Sequence, residues 1–279
     1  MEFIKRWFKE SGPLSSKRIH RELNGHSVHG RHIITGADKS NFGDMIVYYI
    51  NRNKYNSTPV IYLHGGAYLH GLNPLHFKFC HSLSNIIKSP VVLLDYPLLP
   101  DENHEVAYEK VLKYLDQFEN YILIGDSAGG GLALGCHLHQ KLNNKPLPKK
   151  TILMSPWVDV TMSTPEISHL ESLDFVLNRE TLIEIGQRWA NDKETTHYMV
   201  SPTYGDCEAL ENIMLISGDE ELFTPDLRKL SKRLNKENCL YIEGKNMFHD
   251  YILFTNMGLQ TADDTFTEII KFLKDIPNS

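Results

Sequence analysis

Short continuous apolar runs recur along the chain and end in glycine, proline or acidic residues. They are "PVIYLHGG" (Pro59 to Gly66), "PVVLLDYPLLP" (Pro90 to Pro100), "YILIG", "TILMSP", "NIMLISG" (Asn212 to Gly218) and "CLYIEG" (Cys239 to Gly244). Between them apolar residues return at helical spacing. In "EVAYEKVLKYLDQF" they are Ala107, Val111, Tyr114, Leu115 and Phe118; in the last segment they are Phe266, Ile269, Ile270 and Leu273. Helices are also expected over Ala128 to Asn143 and Pro225 to Asn235. Runs without polar alternation suit parallel strands buried on both faces. Strand–helix–strand alternation implies right-handed crossovers and a mostly parallel, doubly wound α/β sheet flanked by helices. Upstream, "HIITG" and "DMIVYYIN" read as two strands of a hairpin or meander. "FIKRWF" (Phe3 to Phe8) gathers Phe3, Ile4, Trp7 and Phe8 on one face of a short helix, which is expected to dock on its own domain.

Bulk composition adds limits. With 279 residues the chain is long enough for one large α/β domain, and we read it as one, over residues 1–279. Apolar residues make up 41% and charged residues 23%, a globular balance. The net charge of −6 argues against a nucleic-acid partner. Cys80, Cys136, Cys207 and Cys239 lack CxxC pairing, so no zinc or disulfide framework is expected. His137 and His139 have no third ligand at a metal-binding spacing and read as surface or core residues. No run approaches the ~20 apolar residues of a membrane span. The expectation is a cytoplasmic protein with reduced thiols and no stable membrane insertion.

In doubly wound sheets ligands bind at the carboxyl ends of the strands, so the residues just after each run carry the chemistry. After "YILI" comes Gly125-Asp126-Ser127-Ala128-Gly129, a G-x-S-x-G pattern between an expected strand and an expected helix. That turn is tight, and it exposes Ser127 Oγ at a helix N-terminus, where developing negative charge is favoured. Gly130 and Gly131 are expected to let the following helix press against neighbouring strands. A serine hydroxyl needs a base, and the base needs a carboxylate. The chain order nucleophile, acid, base is met by Ser127, the cluster Asp219, Glu220 and Glu221 after "NIMLIS", and His249 after "CLYIEG". Counting three residues on from Gly218 favours Glu221, with Asp219 the alternative. "LHGGAY" offers the backbone N–H groups of Gly65, Gly66 and Ala67 for an oxyanion hole, which the N–H of Ala128 completes.

These motifs together resemble the α/β-hydrolase family, and within it the hormone-sensitive-lipase-like esterases. "HGGAY" is similar to that branch's His-Gly-Gly-Gly-aromatic motif, and "GDSAGG" matches its serine motif unchanged. "DYPLLPDENHEVAYEKVLKYL", "MSPWVDVTMS", "SPTYGD", "SGDEELFTPD" and "MFHDY" follow in the family's order, and the resemblance runs from about Pro59 to Phe272. Departures are Ala67 for the third glycine, Glu221 for an aspartate, and the loss of the arginine of "DYRLAPE". Ala67 serves as a donor if its φ is negative.

The resemblance implies a serine carboxylesterase that hydrolyses small, short-chain acyl esters with no metal or organic cofactor. It also implies a small helical cap from residues 1–30 and 162–198, with Leu173, Phe175, Val176 and Trp189 either lining an acyl pocket or packing the cap's own core. An amidase or arylformamide hydrolase with the same triad is the alternative enzyme. A non-catalytic small-molecule-binding relative is the alternative from another class, and the presence of His249 argues against it. An exposed final strand or helix is where two copies would pair as a homodimer.

Overall fold

A computed structural model of the protein describes residues 19, 22–24, 36–54, 57–234, 237 and 239–274. Eight strands form one sheet: β1 (Asp38–Phe42), β2 (Met45–Ile50), β3 (Val60–Leu63), β4 (Val91–Asp95), β5 (Ile122–Asp126), β6 (Lys150–Met154), β7 (Ile213–Gly218) and β8 (Cys239–Gly244). Their spatial order is β1-β2-β4-β3-β5-β6-β7-β8. The pairs β1–β2 and β2–β4 are antiparallel, and all the others are parallel. The helices are α1 (Pro74–Ile87), α2 (His104–Leu115), α3 (Ser127–Leu142), α4 (Arg179–Ala190), α5 (Thr224–Arg233) and α6 (Gln260–Lys274).

Every residue of β3, β5, β6 and β7 is buried, as unbroken apolar runs require. Alternate strand residues feed two cores. Ile61, Leu63, Leu123, Leu153 and Leu215 face Val111 of α2, Leu132 of α3, Ile185 of α4 and Leu227 of α5. Val60, Tyr62, Ile124, Met154 and Ile216 face Phe79 and Leu83 of α1 and Phe266 and Ile269 of α6. The sheet is therefore the middle layer of three. Among the described residues no helix is long and apolar enough to cross a membrane.

The structure amends the upstream reading. The strand expected at "HIITG" falls, except for Gly36, outside the described residues, as does "FIKRWF". The first described strand is instead Asp38–Phe42, a polar, largely exposed edge strand that apolar periodicity does not mark. Helix α1 was not expected from the sequence; its start is fixed by a cap. Asn73 accepts from Leu75 N–H at 2.9 Å, and Pro74 opens the helix, where a missing N–H costs nothing.

The start of α3 lies against the end of β3. A Cβ on Gly129 would fall on the carbonyls of Leu63 and His64, so only glycine allows that approach. Gly130 and Gly131 face Pro156 and Trp157 in the loop after β6, and Gly130 also faces the Gly125 carbonyl of β5, so the helix presses on that loop as well as on the strands.

Candidate active site

Ser127 stands at the β5–α3 junction with φ +49°, the left-handed region that a non-glycine residue enters only under constraint. Its carbonyl accepts from Trp157 N–H at 2.8 Å, which ties the elbow to the loop after β6. Its Oγ lies 2.9 Å from Nε2 of His249, in the loop after β8. Nδ1 of the same ring lies 3.1 Å from Oε2 of Glu221, in the loop after β7. A carboxylate only accepts, so Nδ1 carries a proton, and when the ring is neutral Nε2 offers its lone pair to the serine. All three side chains are buried. The ring edge of Phe223 packs 5.2 Å from the imidazole. Burial works against a charged imidazole, but Asp250 and Glu221 outweigh it and hold His249 well above the ordinary histidine range.

The acidic cluster after β7 divides by geometry. Asp219 does not reach the imidazole. Its Oδ1 accepts from Met247 N–H at 3.1 Å and its own N–H donates to Gly244 at 3.0 Å, so it braces the loop that carries His249. Glu220 N–H donates to the Met247 carbonyl at 3.0 Å. Of the three, Glu221 alone turns inward to the ring.

Asp174 is a residue that the sequence reading passed over. It is buried in the segment before α4. Its Oδ1 accepts from the N–H groups of Val176 and Leu177, and its Oδ2 from that of Leu222, each at 2.8 Å. It thus fastens the segment before α4 to the residue next to Glu221. Burial pushes its carboxyl up to about 6, against the pull of His249 and these N–H groups. Asp174→Ala should leave three buried N–H groups without an acceptor and lower stability by about 3 kcal/mol, read as a reduced urea midpoint. An acid inside "LDFVLN" was the visible signal, but its third partner lies 48 residues away.

The "HGGAY" loop is pressed against the elbow, because Asp126 and Ser127 occupy the space a Cβ on Gly65 would need. Gly66 has φ +122°, and its carbonyl accepts from Leu69 and His70 N–H at 3.0 and 2.8 Å, so the chain curls tightly. That curl gives Ala67 φ +54° and Tyr68 φ +57°, so the negative φ set as the condition for Ala67 to serve as a donor is not met. The left-handed region costs an L-residue roughly 1–2 kcal/mol. Packing opposes that cost: the Tyr68 ring stacks on Trp189 at 4.0 Å and on Trp157 at 5.5 Å. Among the described residues the N–H groups of Gly66 and Ala67 meet no backbone carbonyl. The N–H of Ala128 belongs to the first turn of α3, which has no partner inside the helix.

A buried polar cluster supports the loop from below. His64 donates Nδ1–H to the Gly65 carbonyl at 2.7 Å, its ring stacks on Tyr96 at 4.4 Å, and Tyr96 OH donates to the His64 carbonyl at 2.6 Å. Burial lowers His64 to about 4, so it is neutral. Asp126 accepts from Tyr62 OH at 2.5 Å and faces His76 Nε2 at 3.2 Å. Burial raises the Asp126 pKa, but His76 and Tyr62 more than offset it and keep the group ionised. Tyr62 was read only as part of an apolar run, and His76 was not singled out.

Of the residues weighed as pocket lining, Trp189 is core, Phe175 packs 5.2 Å from Phe248, Val176 is half-buried and Leu173 is exposed. His137 is buried beside Thr151, at 3.0 Å, and His139 meets Tyr198 OH at 3.1 Å. From the N-terminal segment, Ile19 and Leu23 join the core, and Glu22 meets His70, at the end of the "HGGAY" loop, at 2.5 Å.

Known proteins are similar to this chain. An acetyl-hydrolase of Streptomyces hygroscopicus is 24% identical over 252 residues, 87% of this chain and 84% of the relative. An esterase of Acinetobacter venetianus is 26% identical over 226 residues, 76% of this chain and 73% of the relative. The crystal structure of a hormone-sensitive lipase from a metagenome library superposes with a TM-score of 0.82 at 23% identity, covering 98% of this chain and 97% of that one. The family model for the α/β hydrolase fold matches residues 60–253, from β3 through the loop that carries His249. The sheet order, the serine elbow and this match lead to one conclusion: the chain belongs to the α/β-hydrolase fold family.

Proposed function

We propose that the protein is a serine carboxylesterase that hydrolyses small esters with short acyl chains. The observation that carries this reading is the unbroken hydrogen-bonded series Ser127–His249–Glu221, assembled from the ends of three strands. In the first half-reaction Ser127 Oγ attacks the ester carbonyl carbon while its proton passes to His249 Nε2. The carbonyl π electrons move onto oxygen, and the N–H groups of Gly66 and Ala128 bind that oxyanion; Gly65 allows the loop to come close. A single donor of this kind contributes roughly 2.7–4 kcal/mol in the transition state. The tetrahedral intermediate collapses, the bond to the alcohol oxygen breaks, and Nε2–H protonates the leaving alkoxide. Water then repeats the sequence on the acyl-enzyme. Glu221 holds the ring in the productive tautomer throughout. Residues 162–198 act as the cap that reads the substrate; the other expected cap segment, residues 1–30, lies outside the described residues except for 19 and 22–24.

The short acyl chain rests on the relative named as an acetyl-hydrolase. The test is a panel of p-nitrophenyl acetate, butyrate and palmitate with the matching anilides, together with labelling by a fluorophosphonate. Expected are turnover that falls from acetate to palmitate, esters cleaved faster than anilides, and label on the peptide bearing Ser127. Faster anilide cleavage would make the protein an amidase, and no labelling with no turnover would make it a binding protein.

A further inference from the structure

Two carboxylates touch the His249 ring, one on each nitrogen. Glu221 takes Nδ1, while Asp250 Oδ2 lies 3.2 Å from Nε2, the nitrogen that also faces Ser127 Oγ at 2.9 Å. While the imidazole is neutral, its Nε2 lone pair accepts from the serine hydroxyl and repels a carboxylate oxygen beside it. When Nε2 takes the serine proton, the new N–H has acceptors on two sides and the same carboxylate attracts it. We propose that Asp250 is a further catalytic residue: a second carboxylate that stabilises the imidazolium formed as Ser127 attacks, and so sets the pH above which His249 works as a base. This assignment rests on the serine esterase reading.

The placement of Asp250 supports a role at the ring. Its backbone is left-handed, φ +58°, a region that aspartate enters more readily than most residues. Its N–H donates to Ser155 Oγ at 3.2 Å, which aims the side chain. Its other oxygen, Oδ1, is buried and has no hydrogen-bond partner, so no competing structural bond occupies the carboxylate. The groups facing His249 are Glu221 from the loop after β7, Asp174 from the segment before α4, and Asp250 beside it. Asp126, from the end of β5, faces Asp250. Asp174 is engaged by three backbone N–H groups and Asp126 by Tyr62 and His76, whereas the carboxylate of Asp250 meets the ring.

The sign follows from the charge. A carboxylate at Nε2 favours the protonated ring, so it raises the pH at which the free base appears. Removing the charge should move the acid limb of kcat/KM to lower pH, by about one unit or more. The ring is then also a weaker base, so the alkaline plateau should fall several-fold. The experiment compares kcat/KM profiles for p-nitrophenyl acetate, between about pH 5 and 10, in the wild type, Asp250→Asn and Asp250→Gly. Both substitutions suit a left-handed backbone, so the pair keeps the test open if one fails to fold. A downward shift of the limb supports the assignment. A limb that stays in place or moves up, whatever happens to the plateau, overturns it, because loss of a merely structural contact would lower the rate without moving the limb. A wild type with no Ser127-dependent turnover would remove the esterase reading itself and the assignment with it.

Discussion

Ser127→Ala is expected to lower kcat for p-nitrophenyl acetate by at least about 10⁴-fold. The substitution removes the hydroxyl that meets His249 Nε2, and among the described residues no other hydroxyl is bonded to that nitrogen. The residual rate would come from the oxyanion hole acting on a water molecule. The fold should not change: the Cβ stays, the Ser127 carbonyl still accepts from Trp157, and the far-ultraviolet circular dichroism melt should overlay the wild type. Turnover within tenfold of the wild type would sink the nucleophile assignment, and with it the acyl-enzyme.

Glu221→Gln carries the second large effect, a loss of about 10³–10⁴-fold in kcat with KM little changed. An amide at this position can present its NH2 group to Nδ1. The ring then keeps its proton on Nε2, the wrong nitrogen for accepting one from serine. Asp219→Asn is the internal control, because Asp219 reaches the His249 loop only through Met247 N–H. Its effect should stay within about tenfold in kcat, with about 1 kcal/mol of lost stability. The reverse order of effects would move the acid role to Asp219.

The parallel sheet was legible because unbroken apolar runs such as "TILM" and "IMLIS" can be buried on both faces only between helical layers. Strand β1 was not, because "DKSNF" lies at an exposed edge and pairs on one side only, so its sequence carries no apolar record of the pairing. The positions of Ser127, Glu221 and His249 in the folded chain could be anticipated because the chemistry demands strand ends in a set order. Other features depend on contacts that no local pattern encodes. The positive φ of Ala67 follows from hydrogen bonds to the Gly66 carbonyl and from aromatic packing with Trp189, more than a hundred residues on. Asp174 carries no local signal because its bond to Leu222 joins residues 48 apart. Asp250 sat in plain view beside His249, yet only coordinates show that its carboxylate turns to the same nitrogen as the serine.

The separation of Ser127 from His249 by 122 residues, with His249 carried just beyond the outermost parallel strand, has a consequence for biogenesis. A chain emerging from the ribosome can lay down β3 through β7 and already bury most of its central layer. On the proposed assignment of His249 as the base, it remains chemically silent until β8 has docked, since that residue follows the final strand. Ester turnover would thus report that β8 has docked. For the same reason, fraying at that one edge would extinguish turnover while most of the backbone structure persists.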